Sequence, residues 1–203
     1  MIYAKVPLYK INELSPEAFE KAYYEWMSES DYPFARDNEE SLCEFCKIFS
    51  VNVTDYRYGD GYPYIEFELN QESEIKNLSG IRLYKYLMNN YYDLYFIKPL
   101  RFIRITNDDR RIVKESKVLF EKYDCSLTGY YMDDILLKPF YEFLQYPNKY
   151  VTFYGLIETA LNDWVKACDE DFNYYFSEEN FKDIAETNDW LYLEDGTRFY
   201  SME

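Results

Sequence analysis

Histidine is missing from all 203 residues. Its absence removes the commonest general base and the commonest metal ligand from every catalytic reading. Glycine is scarce, six in all, and they form neither a Gly-x-Ser-x-Gly elbow nor a phosphate-cradling loop. No cofactor is therefore expected. No apolar run approaches the ~18–20 residues of a membrane span. Lys5 and Lys10 interrupt the short opening stretch of apolar residues, so an export signal is not expected either. Positive charge is the last shortage: 22 bases face 38 acids, for a net charge of −16. What the chain has in plenty is aromatic side chains, with 25 Tyr, 15 Phe and 3 Trp.

The acidity is uneven. Residues 151–203 hold 13 acids and only three bases (Lys166, Lys182 and Arg198), so about a quarter of the chain carries well over half of the excess charge. A field of that sign repels nucleic acid and anionic membranes and speeds association with basic partners. Direct DNA or RNA binding is disfavoured, except locally at Arg101, Arg104, Arg110, Arg111, Lys114 and Lys117. Solvation alone is the plainer reading of the same acids.

Along the chain, helical and extended patterns mix without a repeat or a Pro/Gly/Ser-rich linker. Ile2–Tyr9 reads as a strand. Ser15 followed by Pro16 and Glu17 is a helix start, with Phe19, Ala22, Tyr23 and Trp26 as its apolar stripe. A second helix is expected over Asn38–Phe49, with Asp37 as cap and Glu40 completing a capping box. Val51–Tyr58 and Tyr62–Leu69 flank Gly59-Asp60-Gly61 as a hairpin. Ile81–Tyr95 is expected to be helical, Leu100–Thr106 a strand, Arg111–Tyr123 a helix, and Met132–Leu144 a helix broken at Pro139. Phe153, Leu156, Ile157, Ala160, Leu161, Trp164, Val165 and Cys168 recur at steps of three and four, the mark of one buried helical face. Ser177 caps a further helix, and Trp190–Leu193 with Thr197–Tyr200 form a hairpin around Glu194-Asp195-Gly196. The expectation is one α+β domain over 1–203, built of short antiparallel hairpins and several amphipathic helices, with an acidic subregion at 151–203.

Chemistry-bearing clusters are few. Cys43 and Cys46 form a Cys-x-x-Cys, but on a helical face with Leu42, Phe45 and Phe49, Cys46 reads as core. Zinc would need two more ligands, and a redox pair remains open. Asp108, Asp109, Glu115 and Lys117 can be arranged as a metal-nuclease set, and Asp133-Asp134 could take Mg²⁺. Adjacent acids are commoner in loops and helix starts, so catalysis is not expected. The tyrosine doublets Tyr23-Tyr24, Tyr91-Tyr92, Tyr130-Tyr131 and Tyr174-Tyr175 should each turn one ring inward and one outward.

A family resemblance rests on several blocks. The opening Asn12-Glu-Leu-Ser-Pro-Glu-Ala18, the aromatic helix and the Tyr/Gly hairpin are the first. Cys125-Ser-Leu-Thr-Gly-Tyr130 and Pro139-Phe-Tyr-Glu-Phe-Leu144 follow, then Leu161-Asn-Asp-Trp164, Ser177-Glu-Glu179 and Leu193-Glu-Asp-Gly196. Together they resemble a family of uncharacterised proteins from phages and bacterial mobile elements, some labelled antitoxins of a toxin–antitoxin stability system. Where that family often has glycine after the second helix, this chain has Phe49-Ser50, so that turn is expected to differ. The resemblance carries no catalytic residues. It implies an origin, and action in a bacterial host cytoplasm.

Origin gives the acids a use. A nuclease groove is a Lys/Arg field built for one negative charge per ~3.4 Å of strand, and helical carboxylates three or four residues apart lie ~5–6 Å from each other. The expected partner is a host protein with a basic nucleic-acid-binding surface, a CRISPR effector or a restriction enzyme, inhibited by a DNA or RNA mimic. The expected contact residues are Asp169, Glu170, Asp171, Glu178, Glu179, Asp183, Glu186, Asp189, Glu194 and Asp195, with Tyr174 and Tyr175 as aromatic anchors. An antitoxin-like or regulatory binding module is the alternative, and a metal-dependent enzyme the next.

Overall fold

A computed structural model describes residues 5–91, 94, 96–105, 111–122 and 125–200, giving the backbone alone for 96–105 and 111–122. The described elements are seven α-helices and three antiparallel strand pairs, an α+β fold. In order they are α1 (Pro16–Glu29), α2 (Ala35–Phe49), β1 (Val51–Arg57), β2 (Tyr64–Leu69), α3 (Ser73–Lys76), α4 (Gly80–Asn90), β3 (Phe96–Ile105), β4 (Arg111–Lys122), α5 (Met132–Gln145), α6 (Phe153–Tyr175), α7 (Glu178–Thr187), β5 (Leu191–Tyr192) and β6 (Arg198–Phe199). Among the described residues no helix is long and apolar enough to cross a membrane.

Contacts divide the chain into two compact units, Met1–Pro33 with Glu170–Glu203, and Phe34–Asp169. No Pro/Gly/Ser-rich linker marks the division. The acidic stretch 151–203 is therefore shared: its part up to Asp169 belongs to the second unit and the rest to the first.

The second unit is built on buried helix faces. Phe45 and Phe49 of α2 meet Phe140 of α5, with Phe49 and Phe140 stacked at 4.8 Å. From α6, Phe153, Ile157, Leu161, Trp164 and Cys168 complete the same core, all at 0% exposure, as their spacing requires. The hairpin of β1 and β2 pairs Val51 with Leu69 and Arg57 with Tyr64. On β2, Ile65, Phe67 and Leu69 are more sheltered than Glu66 and Glu68, the alternation of a strand with one wet face.

Several expectations need correction. Asp37 is not the cap of α2; the helix begins a turn earlier, at Ala35, with Phe34 in the cap position and Asp37 in the first turn, where its charge suits the helix dipole. The turn after α2 has the left-handed geometry a glycine would take, but Ser50 adopts it (φ 55°). Pro139 does not break α5. The ring deprives the Ile135 carbonyl of its N–H partner at a cost of ~3 kcal/mol, which the burial of Leu136, Leu137, Phe140 and Phe143 offsets at about 1.5–3 kcal/mol each. Arg111–Lys122 is a strand, not a helix, paired antiparallel with β3 through Ile103 and Val113. β-Branched Ile112, Val113 and Val118 favour that outcome, and spacing alone does not report a pairing partner.

The first unit joins the two ends of the described chain. Ile2–Tyr9 is not a strand over its described part: Lys5–Leu8 has no regular structure, and Tyr9 forms a single antiparallel bridge to Tyr192 through two 2.9 Å hydrogen bonds. Residues 1–4 lie outside the described residues. The Ser15 hydroxyl accepts from the Ala18 N–H at 3.2 Å and so caps α1. Ala18, Ala22 and Trp26 form its buried face, and Phe181 and Ala185 of α7 pack against it, with Trp26 and Phe181 rings 5.1 Å apart. The Ser177 hydroxyl caps α7 by accepting from the Asn180 N–H at 3.2 Å.

Candidate protein-interaction surface

The helices of the first unit are amphipathic, so a shared aromatic core leaves their acids pointing to water. Glu17, Glu20, Glu25 and Glu29 line the outside of α1, and Glu178, Glu179, Asp183 and Glu186 the outside of α7. Over its whole length this unit has 16 acids and five bases, net −11 of the chain's −16 in about a third of the residues. Fourteen of its fifteen described carboxylates are exposed. The second unit has 22 acids and 17 bases, net −5.

The ten expected contact acids divide by what they already bind. Asp169 leaves the exposed set: it is 8% exposed, lies in the second unit, and accepts from the Gly59 N–H at 2.7 Å, fixing the turn after β1. Asp171 is half-buried and accepts from the Tyr32 hydroxyl. Glu186 accepts from the Asn12 side-chain amide, and Asp189 pairs with Lys10 at 3.7 Å. Asp195 meets Lys21 at 2.7 Å and accepts from the Thr197 N–H and hydroxyl at 3.0 Å each. The Lys21 hydrogen bond, then those from Thr197, hold its carboxyl down to about 2. Glu170, Glu178, Glu179, Asp183 and Glu194 are exposed and make no hydrogen bond or ion pair among the described residues. Glu178 does act on Tyr23, whose hydroxyl is pushed up by burial first and by that carboxylate second.

The two anchor tyrosines differ. Tyr174 is 56% exposed, while Tyr175 packs against Trp26 and Tyr32. The in-and-out expectation also describes Tyr23 and Tyr24, but Tyr130 and Tyr131 are both exposed, because they precede α5 instead of lying within it. Tyr91 is half-buried, and Tyr92 lies outside the described residues. Absent from the sequence-based set are Glu13, Glu17, Glu20, Glu25, Glu29 and Asp31, which the N-terminal segment brings into the acidic unit. Their charge was readable. That they share a unit with residues 170–200 depends on the Tyr9–Tyr192 bridge and the α1–α7 packing, neither of which has a local signature.

The other clusters offer less. Asp108, Asp109 and Arg110 lie outside the described residues; Arg101 and Arg104 are on β3, and Arg111, Lys114, Glu115 and Lys117 on β4. Asp133 is fully buried, and its carboxylate accepts from the N–H groups of Leu127, Thr128 and Gly129 at 2.7–2.9 Å and from the Thr128 hydroxyl at 2.8 Å. That is a loop clamp, and it uses the lone pairs a cation would need. Among the described residues no group of three or more Cys, Asp or Glu is placed to hold a metal ion. Cys43 is exposed, and burial pushes the half-buried Cys46 thiol up to about 12, which disfavours the thiolate a redox pair requires. Cys168 is core.

No known protein family matches the chain, and comparison with curated proteins and with solved structures finds no significant match.

Proposed function

We propose that this is a non-enzymatic acidic protein of phage type that binds a host defence protein, a CRISPR effector or restriction enzyme, by occupying its basic nucleic-acid groove. The observation that supports the reading most is the concentration of exposed carboxylate on the first unit, fourteen groups with five bases to offset them. Nine of the fourteen stand on the packed helices α1, α6 and α7, so little ordering of these is left to be done when a Lys/Arg array engages them. Exposed Tyr24, Tyr174 and Tyr200 in the same unit supply rigid aromatic area of the kind that interface cores favour.

The test is competition. The protein should displace DNA or RNA from its target, and its affinity should fall steeply between low and physiological salt. Amide substitution at Glu170, Glu179, Asp183 and Glu194 leaves internal bonding intact. At ~0.5–1 kcal/mol for each charge pair lost, the four changes should weaken binding by about 30- to 1,000-fold. Binding that ignores both salt and these substitutions refutes the reading, and a dedicated toxin as the only captured partner supports the antitoxin-like alternative.

A further inference from the structure

A two-stranded sheet has two edges, and in the second unit the edge of β1 is left open. β1 pairs with β2 alone, and among the described residues no backbone hydrogen bond from outside the hairpin reaches it. The Asn70 N–H donates to the Ser50 carbonyl at 2.9 Å, which fixes the phase of the ladder. With Val51 opposite Leu69 and Val53 opposite Phe67, both valines turn their own N–H and C=O groups away from β2. Beside that edge runs a groove of ≈500 Å³. One wall is residues 51–56 of β1, consecutive and so drawn from both faces of the sheet, and no residue of β2 takes part. The groove therefore follows the free edge, not a face. The other wall is one stripe of α2: Glu39, Leu42, Cys43, Cys46 and Lys47. Ser50 alone separates α2 from β1 and turns the chain back, so Lys47 stands at the Val51 end of the groove and Glu39 at the Tyr56 end. There burial first, and the Glu39 carboxylate second, push the Tyr56 hydroxyl up. The two turns of helix from Glu39 to Lys47 span ~12 Å, about the reach of four strand residues. Such a slot takes one extended backbone.

We propose that this groove receives a short extended segment of a partner protein, which adds to β1 as a third strand, seats alternate apolar side chains on Leu42 and Cys46, and brings a lysine or arginine to the Glu39–Asp55 end. Three observations choose that occupant. Open N–H and C=O groups along a strand are satisfied by another strand. The floor is apolar, with Leu42 and Val51 buried and Cys46 and Val53 half-buried, so every second residue of the segment is apolar. Charge sets its end. Glu39 makes no hydrogen bond or ion pair among the described residues, and Asp55 has only the Tyr64 hydroxyl, at 2.6 Å. The bases beside them are engaged, Lys47 with Glu44 at 2.9 Å and Arg57 with Asp60. The register shift between Val53 and Asp55 twists the edge locally, which suits a short segment and discourages open-ended stacking of sheets. This surface lies wholly within the second unit and shares no residue with the acidic one.

The probe is the capped hexapeptide Lys-Val-Thr-Val-Thr-Val, titrated into the full chain while backbone amide signals are followed by NMR. Saturable shifts of the Val51 and Val53 amides are expected, and solvent exchange of the Val53 N–H should slow at least tenfold at saturation. Bound probe should also slow alkylation of the exposed Cys43 by iodoacetamide at least fivefold, read site by site by mass spectrometry. Paired residues of neighbouring strands share a face, so the valines of the probe are the residues that bond to β1. N-methylation of those valines should weaken binding at least tenfold. Glutamate in place of the lysine should weaken it at least threefold, and Glu39→Gln should cost about twofold to fivefold, the value of one exposed charge pair. No shift at Val51 and Val53, undiminished binding of the N-methylated or glutamate peptide, or unchanged affinity in Glu39→Gln overturns the proposal. So does slow exchange of the Val53 amide in the free protein that disappears on dilution, which would make a second copy of the chain the occupant.

Discussion

Gly196→Ala should loosen the first unit far more than Gly61→Ala loosens the second, although both glycines have left-handed backbone angles (φ +87° and +79°). At Gly61 an added Cβ meets nothing within 4 Å, so the substitution carries only the strain of the left-handed angle, ~1–2 kcal/mol, partly offset by a stiffer unfolded chain. At Gly196 the same atom would lie 2.1 Å from the Ala18 carbonyl oxygen, 2.8 Å from its carbon and 3.1 Å from its Cα. Ordinary contact needs the hairpin to retreat by about 1.2 Å from the first turn of α1, given carbon–oxygen contacts of ~3.3 Å. Overpacking on that scale adds ~1–3 kcal/mol, for a total of about 2–5 kcal/mol. Native-state hydrogen exchange reads the effect locally. The Tyr9 and Tyr192 amides, bonded across the bridge, should exchange on the order of 10²–10³ times faster in Gly196→Ala and at their original rate in Gly61→Ala. Gly196→Ala rates within threefold of the parent protein would refute the close approach of β5–β6 to α1.

Two further outcomes follow from hydrogen bonds already described. Asp133→Asn can keep its oxygen on the three backbone N–H groups and turn its N–H₂ to the Thr128 hydroxyl, but it loses the negative charge that strengthens all four hydrogen bonds. Urea denaturation should show a loss of about 2–4 kcal/mol, and a loss under 1 kcal/mol would show that the 127–129 loop does not depend on the carboxylate. Asp195, held down to about 2 against an ordinary carboxylate value near ~3.9, titrates later in the folded than in the unfolded chain. Its stabilising contribution is therefore complete above about pH 4–5 and is lost as the pH falls through 2. Carboxyl-detected NMR should place its midpoint near 2 and move it upward in Lys21→Met. A midpoint near the ordinary value in the parent protein would show that the Lys21 contact does not persist in solution.

Local chemistry was legible where it was self-sufficient. Ser15-Pro16 and Ser177 cap helices, the Gly59–Gly61 and Glu194–Gly196 segments turn hairpins, and the three-and-four spacing from Phe153 to Cys168 marks a core face. The errors lie where a distant partner decides. Val113 is in a strand because Ile103 is opposite it. Pro139 stays in a helix because four flanking residues are sealed in a core. Asp169 looked like its neighbours in a run of three acids, but the N–H it serves belongs to Gly59, 110 positions away. The acidic surface was half legible for the same reason. The C-terminal carboxylates were found by counting, whereas those of α1 belong with them only through long-range packing.

The bridge between Tyr9 and Tyr192 also has a temporal side. During synthesis, α1 emerges with Trp26 and its other apolar side chains uncovered, while the residues that shelter them, Phe181, Ala185 and Tyr192, are polymerised at least 155 positions after Trp26. The segment Phe34–Asp169 is contiguous and can condense while the ribosome is still working. The acidic unit cannot, since its closing contacts span 183 positions and such contacts form slowly. A nascent chain stalled before Leu191 would thus bear a greasy, unprotected amphipathic helix, a ready substrate for holdase chaperones.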